Sequence, residues 1–191
     1  ALNAGRQLLS RQTFSPEVID ELVLGCAMPS ENEANIGRVV ALRLGCSEQM
    51  PAWTVQRNCA SGMQALDSAI KDIACGRHNL VLAGGAEAMS RAPLILRPSM
   101  VCWLVDWQKA KSISAKARCL MQLRPGQFAP IIALLKGLTD PIVGMSMPAT
   151  AELVAHKFSI TREDMDAYAL QSHQRAVAAQ ESGFLKALQP I

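Results

Sequence analysis

The sequence is poor in aromatic residues and in net charge, and it contains no long apolar run. Only 4% of its 191 residues are aromatic, and the formal net charge is +3. So small a charge is no basis for nucleic-acid binding, and we expect no nucleic-acid partner. No secretory signal opens the chain, and no apolar run is long enough to cross a membrane. We therefore expect no transmembrane segment and a location in the cytoplasm, or in an intracellular organelle if the source is eukaryotic.

Metal and phosphate motifs are also missing. None of the six cysteines forms a C-x-x-C pair, and no histidine lies at metal-ligand spacing, so we expect no bound metal. The segment AGGAEAMS (83–90) has neither G-x-G-x-x-G nor a following Lys-Ser/Thr, and it therefore fails both phosphate-loop patterns. We interpret its glycines as permitting tight packing where a strand ends. Glu87 in this segment is either a buried ion-pair partner or a solvated turn residue.

What the sequence does contain is a regular alternation of helical and strand patterns. Half of the residues are apolar, which is enough for a hydrophobic core. The pattern predicts helices over 1–12, 36–45 and 61–75, and strands within 20–26, 52–56 and 79–85. Strands joined by helical crossovers indicate an α/β layer. The third helix is expected to bury one face, formed by Met63, Leu66, Ala69, Ile70 and Ile73.

The composition changes after Arg91, where prolines recur and strands are difficult to identify. We predict an α/β domain over 1–90 and an inserted, mostly helical domain over 91–191. The last helix of the insertion is predicted to start at a capping box formed by Thr161 and Asp164, and to end at Gly183.

A basic stretch lies in the predicted insertion. Between Arg97 and Arg124 there are six Lys or Arg residues and one acid, Asp106. The stretch is either a solvated helical face or a surface for an anionic ligand such as a nucleotide phosphate. The sequence leaves both interpretations open.

The segment VQRNCASGMQAL (55–66) places Cys59 where a predicted strand gives way to a predicted helix. Unpaired backbone N–H groups and the positive end of the helix dipole favour the thiolate, the nucleophilic form of cysteine. Ala60 and Gly62 leave room for a substrate, and the backbone N–H of Cys59 is a candidate oxyanion donor. The alternative is a buried structural cysteine at a strand–helix junction, and local reasoning does not exclude it.

The other groups that this chemistry requires are less evident. We interpret the remaining five cysteines as structural: Cys26, Cys46, Cys75, Cys102 and Cys119. A nucleophilic cysteine needs a base, and the chain offers three histidines. We expect His78 at the surface, far from Cys59, and we interpret His156 and His173 as ordinary helix residues. The sequence shows no convincing partner for Cys59.

Taken together, the motifs resemble a known family. VQRNCASGMQAL, followed by AIKDIACGRHNLVLAGGAEAMSRAP, resembles the amino-terminal half of a thiolase (acetyl-CoA acyltransferase). The upstream segment VIDELVLGCAMPSENEANIGRVVALRLG and the downstream GMSMPATAELVAHKFSITREDMDAYALQSHQRAVAAQESG are similar to the flanking parts of that family. The resemblance covers nearly the whole chain. It implies a thiolase-like layered fold, incomplete here: the first α/β half with an inserted loop domain that binds coenzyme A.

The resemblance also implies a function. Cys59 would attack a 3-ketoacyl-CoA, release acetyl-CoA, and pass the remaining acyl group to a second CoA, as in fatty acid β-oxidation, or the reverse condensation would occur. Met147 would contact substrate. CoA would be a substrate, no cofactor would be bound permanently, and the protein would be a homodimer or homotetramer. The family's G-H-P and C-x-G motifs, which carry acid–base chemistry, do not occur here, so we expect the chain alone to be inactive.

Two departures from the family pattern stand beside this interpretation. Gln56 replaces a frequent Asn, and Pro148 replaces a frequent Gly in M-G-x-T-A-E, which affects the backbone near Met147. Two alternatives to a thiolase function remain open from the sequence. One is a ketoacyl-synthase-like condensing enzyme of the same superfamily, and the other is a non-catalytic scaffold in which Cys59 is inert.

Overall fold

A computed structural model describes residues 1–184, and they form two compact units. The first unit contains residues 1–88 together with residues from Glu152 onward, and the second contains Met89–Ala151. The first limit lies close to the one predicted at residue 90. The assignment of all of 91–191 to a single inserted domain stays a prediction.

The first unit alternates helices and strands as the apolar pattern predicts. Its elements are α1 (Leu2–Leu9), β1 (Glu21–Gly25), α2 (Ile36–Leu44), β2 (Ala52–Val55), α3 (Ser61–Ala74) and β3 (Val81–Gly85). Local chemistry sets the limits of α2: the side chain of Asn35 accepts the Arg38 N–H at its start, and Gly45 ends it with φ of 84°.

The three strands form a parallel sheet in the order β2-β1-β3. β1 is central and all five of its residues are buried, which explains why its apolar run is continuous rather than alternating. Because the strands are parallel, their carboxyl ends meet at one edge. The segments that follow Gly25, Val55 and Gly85 therefore share this edge.

The core of this unit lies between the sheet and α2. Leu22 and Leu24 of β1 pack with Val40, Ala41 and Leu44 of α2. These side chains are almost completely buried, and burying each large apolar side chain contributes about 1.5–3 kcal/mol.

The prediction for the buried face of α3 is wrong. The helix exists at the predicted place, but its buried residues are Ser61, Ala65 and Ala69, and of the predicted face only Ala69 is buried. The larger apolar residues are exposed: Met63, Leu66, Ile70 and Ile73. The physical reason is distance, since α3 lies so close to the sheet that only small side chains fit between them.

The second unit is mostly helical. Its elements are β4 (Leu94–Ile95), α4 (Pro98–Lys109), α5 (Ile113–Met121), β5 (Ile131–Ile132) and α6 (Ala133–Gly137), and α7 (Met147–Lys157) begins within it. β4 and β5 pair antiparallel. The sequence did not reveal these strands because two residues are too few to show an alternating pattern.

The basic stretch lies on α4, α5 and their flanking segments. Trp103 stacks on Trp107 with ring centroids 5.6 Å apart, and the Lys116 ammonium lies 5.5 Å from the Trp107 ring centroid. The Trp103 indole donates a hydrogen bond to the Cys119 carbonyl at 2.8 Å. One cation of the stretch is therefore engaged in a cation–π contact between the two helices.

The last helix, α8 (Arg162–Glu181), confirms the predicted capping box. The Thr161 hydroxyl accepts the Asp164 N–H at 3.1 Å, and the Asp164 carboxylate accepts the Thr161 N–H at 3.0 Å. Gly183 follows the helix with φ of 73°. Within residues 1–184, neither α8 nor any other helix has the length and apolar character needed to cross a membrane.

Candidate active site

Cys59 lies between the end of β2 and the start of α3, at the carboxyl edge of the sheet. It is a free thiol and it is exposed. Cys75, the residue that caps the other end of α3, is also free and exposed. The two cysteines therefore occupy opposite ends of one helix dipole.

A tight turn presents Cys59 to solvent. Asn58 adopts a left-handed conformation with φ of 47°, which asparagine tolerates better than most residues. The Ala60 N–H donates to the Arg57 carbonyl at 3.0 Å, and the Ser61 N–H donates to the Asn58 carbonyl at 3.1 Å. These bonds close the turn around the cysteine.

Ser61 holds the same turn from inside. Its side chain is buried, accepts the Arg57 N–H at 2.8 Å and donates to the Asn58 carbonyl at 2.6 Å. From the sequence alone, Ser61 is only the first residue of a predicted helix, and its hydrogen bonds within the turn are not evident. The signal that could have identified it is its type, since serine at a helix start commonly bonds to nearby backbone.

The start of α3 has free hydrogen-bonding capacity. Ala60 precedes the helix and offers no capping side chain, and the hydrogen bonds of residues 1–184 include none from the N–H groups of Gly62 and Met63. The hydrogen bonds within residues 1–184 include none from the Cys59 N–H. A thiolate or an oxyanion at this position would meet backbone donors and the positive end of the helix.

Close backbone packing places this helix start against the sheet. A Cβ at Gly25 would overlap the Ser61 carbonyl and lie 2.6 Å from the Gly62 nitrogen. A Cβ at Gly85 would lie 3.4 Å from the Gly62 Cα. The ends of β1 and β3 thus touch the first turn of α3. This contact agrees with the interpretation of Gly85 as a residue that permits tight packing.

Glu87 is exposed in the segment after β3, as the solvated alternative predicts, but its carboxylate is engaged by backbone groups. Its carboxylate accepts the backbone N–H of Ala27 at 2.7 Å and of Met28 at 3.2 Å. It also accepts from the Cys26 thiol at 3.6 Å. The residue therefore binds the loop that follows β1, a contact over about sixty residues of sequence that no local pattern indicates.

The remaining cysteines divide by burial. Cys26, Cys46 and Cys119 are buried, and burial raises the pKa of the Cys26 and Cys46 thiols, which keeps them protonated. Cys75 and Cys102 are exposed, so burial gives no support to the structural role predicted for those two.

The histidines lie away from Cys59 or on other helices. His78 is half-buried rather than at the surface as predicted, with Nε2 3.9 Å from the Glu21 Oε2 at the start of β1. That is the amino-terminal edge of the sheet, opposite Cys59. His156 and His173 lie exposed on α7 and α8. In the part of the chain that the structure describes, no group of three or more His, Cys, Asp or Glu residues can hold a metal ion.

Met147 is the first residue of α7, and its N–H donates to the Leu138 carbonyl at 2.9 Å. Pro148 occupies the first turn of this helix, where its missing N–H would have no intrahelical partner in any case. The proline is therefore compatible with the local backbone. Contact between Met147 and substrate stays a prediction.

Comparisons with known proteins agree on one family. The model described as "Thiolase, N-terminal domain" matches residues 1–191. The 3-ketoacyl-CoA thiolase of Yersinia pestis (strain Pestoides F) is 35% identical over 179 residues, which are 94% of this chain and 40% of that protein. The crystal structure of the acetyl-CoA acetyltransferase of Bacillus anthracis is similar with a TM-score of 0.77 and 32% sequence identity. That match covers 97% of this chain and 42% of the Bacillus chain.

A second solved structure, human mitochondrial 3-ketoacyl-CoA thiolase in complex with CoA, has a TM-score of 0.74 at 32% identity. The match covers 96% of this chain and 42% of the human protein's chain. The chain thus spans about two fifths of the length of these relatives. It belongs to the thiolase family, whose amino-terminal domain it matches over its whole length.

Proposed function

We propose that this chain is the part of a thiolase that accepts the acyl group, and that Cys59 is the acceptor. The observation that carries the proposal is the position of Cys59, an exposed free thiol at the uncapped start of α3. Positive helix dipoles favour thiolates, and exposure permits attack on a substrate.

The reaction proceeds by two acyl transfers. The Cys59 thiolate attacks the C3 carbonyl of a 3-ketoacyl-CoA, and the Cys59 N–H is the proposed donor to the resulting oxyanion. The C2–C3 bond then breaks, C2 takes a proton, and acetyl-CoA leaves. The sulfur of a second CoA attacks the thioester on Cys59, its proton is released, and the shortened acyl-CoA departs. The reverse sequence is the condensation.

We also propose that this chain does not catalyse turnover alone. The sequence has neither the G-H-P nor the C-x-G motif that the family resemblance associates with acid–base chemistry. We therefore expect acylation of Cys59 without turnover. Steady thiolysis of acetoacetyl-CoA by the purified 191-residue chain would contradict this part of the proposal.

The test of Cys59 uses the second exposed cysteine of α3 as a matched control. The chain is incubated with acetyl-CoA, and the modified peptides are identified by mass spectrometry. We expect an acetyl group on Cys59 in the wild type and in Cys75→Ala, and none in Cys59→Ala. Equal labelling of Cys59 and Cys75, or an adduct that survives Cys59→Ala, would refute the assignment. An unlabelled wild-type chain would contradict acylation of Cys59 by this chain alone.

The remaining parts of the proposal concern the whole protein, and the family resemblance supports them. The whole protein uses CoA thioesters as substrates, contacts them through Met147, assembles as a homodimer or homotetramer, and works in the cytoplasm, or in an intracellular organelle if the source is eukaryotic. Light scattering on the protein tests the assembly, and a monomeric mass would contradict it.

A further inference from the structure

Glu87 lies two residues beyond β3 and binds the loop that follows β1. One carboxylate oxygen accepts the Ala27 N–H at 2.7 Å, and the other accepts the Met28 N–H at 3.2 Å. The Cys26 thiol, 3.6 Å from the second oxygen, is a further donor. Hydrogen bonds from backbone N–H groups to a carboxylate are among the stronger ones in proteins.

The loop held by Glu87 (Cys26–Met28) belongs to a network that joins all three strand ends. The Cys26 N–H donates to the Val55 carbonyl at 3.1 Å, and the Ala86 N–H donates to the Gly25 carbonyl at 3.0 Å. Gly25 in turn lies against the backbone of Ser61, so closely that a Cβ there would overlap the Ser61 carbonyl.

A continuous backbone path therefore leads from Glu87 to the thiol. It runs from the Cys26–Met28 loop through Gly25 to the first turn of α3, where Ser61 closes the turn that contains Cys59. The hydrogen bonds of the described residues include none between Glu87 and Cys59. Any influence of Glu87 on the thiol acts through this backbone.

We propose that Glu87 is a positioning residue for Cys59: by holding the Cys26–Met28 loop, it fixes Gly25 against α3 and so fixes the turn that presents the thiol. The proposal rests on the proposed role of Cys59 as acyl acceptor. Glu87 itself does not touch the reacting group.

The chain contains a matched control for this contact. Asp20, just before β1, also accepts two backbone N–H groups, those of Asn79 at 2.7 Å and Leu80 at 2.9 Å. It joins β1 to the start of β3 at the edge of the sheet opposite Cys59. Replacing either carboxylate by an amide weakens these hydrogen bonds, because the negative charge on the acceptor is lost, but only Glu87 lies on the path to Cys59.

The test measures alkylation of Cys59 by iodoacetamide between about pH 6 and pH 9, with the modified peptide quantified by mass spectrometry. The variants are Glu87→Gln, Glu87→Asp and Asp20→Asn in the 191-residue chain. We expect Glu87→Gln to slow alkylation about 3- to 10-fold across the profile, because the cysteine turn loses its support. Loss of a negative charge would by itself favour the thiolate and accelerate alkylation, so the direction of the rate change separates positioning from electrostatics.

The other variants make the result specific. Glu87→Asp, which keeps the charge but has a shorter reach, is expected to give an intermediate rate. Asp20→Asn is expected to stay within about twofold of the wild-type rate, although amide exchange at Asn79 and Leu80 accelerates as their hydrogen bonds weaken. Equal slowing by Asp20→Asn and Glu87→Gln, or a wild-type rate in Glu87→Gln, would overturn the proposal. If Glu87→Gln does not fold, a wild-type rate in Glu87→Asp overturns it.

Acetylation of wild-type Cys59 by acetyl-CoA is measured on the same samples. A wild-type chain that is alkylated at Cys59 but never acetylated refutes acyl transfer while leaving the positioning result intact. A normally acetylated chain whose alkylation rate does not respond to Glu87 refutes the positioning role alone.

Discussion

At the residue scale, position within one helix separates two chemically identical side chains. Cys59 precedes the first turn of α3, and Cys75 caps its end. Both are exposed and free. The partial positive charge at the helix start favours an anion near Cys59, and the partial negative charge at the helix end disfavours one near Cys75. Ser61 adds a second difference, because only the Cys59 turn is closed by a buried hydroxyl.

Ser61→Ala is predicted to destabilise the chain and to slow the reaction of Cys59. The variant removes the hydroxyl that accepts the Arg57 N–H and donates to the Asn58 carbonyl, and each lost hydrogen bond costs about 0.5–1.5 kcal/mol. Urea denaturation measures the change in the free energy of unfolding. Ser68→Ala, in the same helix, is the control: its hydroxyl accepts only a 3.3 Å bond from Gln64, so a comparable loss there would argue against a special role for Ser61.

Asp20 is predicted to make stability depend on pH in the acid range. Backbone hydrogen bonds from Asn79 and Leu80 lower its pKa from the ordinary value of 3.8. A carboxyl whose pKa is lower in the folded state stabilises that state fully above its unfolded pKa, and this contribution is lost as the pH falls through the folded pKa. Asp20→Asn should therefore be less stable than the wild type at pH 7, with the difference disappearing toward pH 2.

Thermal unfolding of both proteins between pH 2 and pH 7 measures this difference. A gap between wild type and Asp20→Asn that stays constant over the whole range would contradict the prediction.

At the element scale, the site depends on how closely α3 approaches the sheet. The buried residues of the helix are small, namely Ser61, Ala65 and Ala69, and Gly25 and Gly85 allow backbone contact at its first turn. The same closeness turns the larger apolar residues of α3 outward.

Gly25→Ala is predicted to destabilise the chain by about 3 kcal/mol, because an added methyl group overpacks this contact. Gly62→Ala is the matched control, since a Cβ at Gly62 meets no heavy atom within 4 Å. We expect it to change the free energy of unfolding by less than about 1 kcal/mol. Chemical denaturation of both variants measures the two effects, and equal stability of Gly25→Ala and Gly62→Ala would show that the helix is not held at this distance.

At the scale of the whole molecule, the chain spans about two fifths of the length of its relatives. It exposes apolar surface on α3. Met63 is 71% exposed and Ile70 is 66% exposed, and Leu66 and Ile73 lie on the same helical face. Contiguous exposed apolar surface of this kind favours association.

We therefore predict that the isolated chain binds a hydrophobic dye and associates with itself at high concentration. Ile70→Lys should reduce both effects, because it places a charge within the exposed face. Dye fluorescence and light scattering measure the change. Lys71→Glu, on the neighbouring position, controls for altered charge, and an equal response to both substitutions would contradict the prediction.

Local patterns were sufficient for much of the fold and for one residue of the site. The alternation of elements, the capping box at Thr161 and the place of Cys59 at a helix start all follow from residues close together in sequence. The short strands β4 and β5 gave no detectable pattern. The partial burial of His78 was missed because it depends on Glu21, which lies on another element.

The sequence by itself determined the order of helices and strands, the family, and the position of Cys59 between β2 and α3. Only the tertiary structure decided which face of α3 is buried, which backbone groups Glu87 binds, and what Ser61 holds in place. The physical reason is the range of the interactions. Caps, turns and periodicity act over a few residues, whereas the distance between a helix and a sheet, and the loops that meet at one sheet edge, are set by parallel pairing of distant strands.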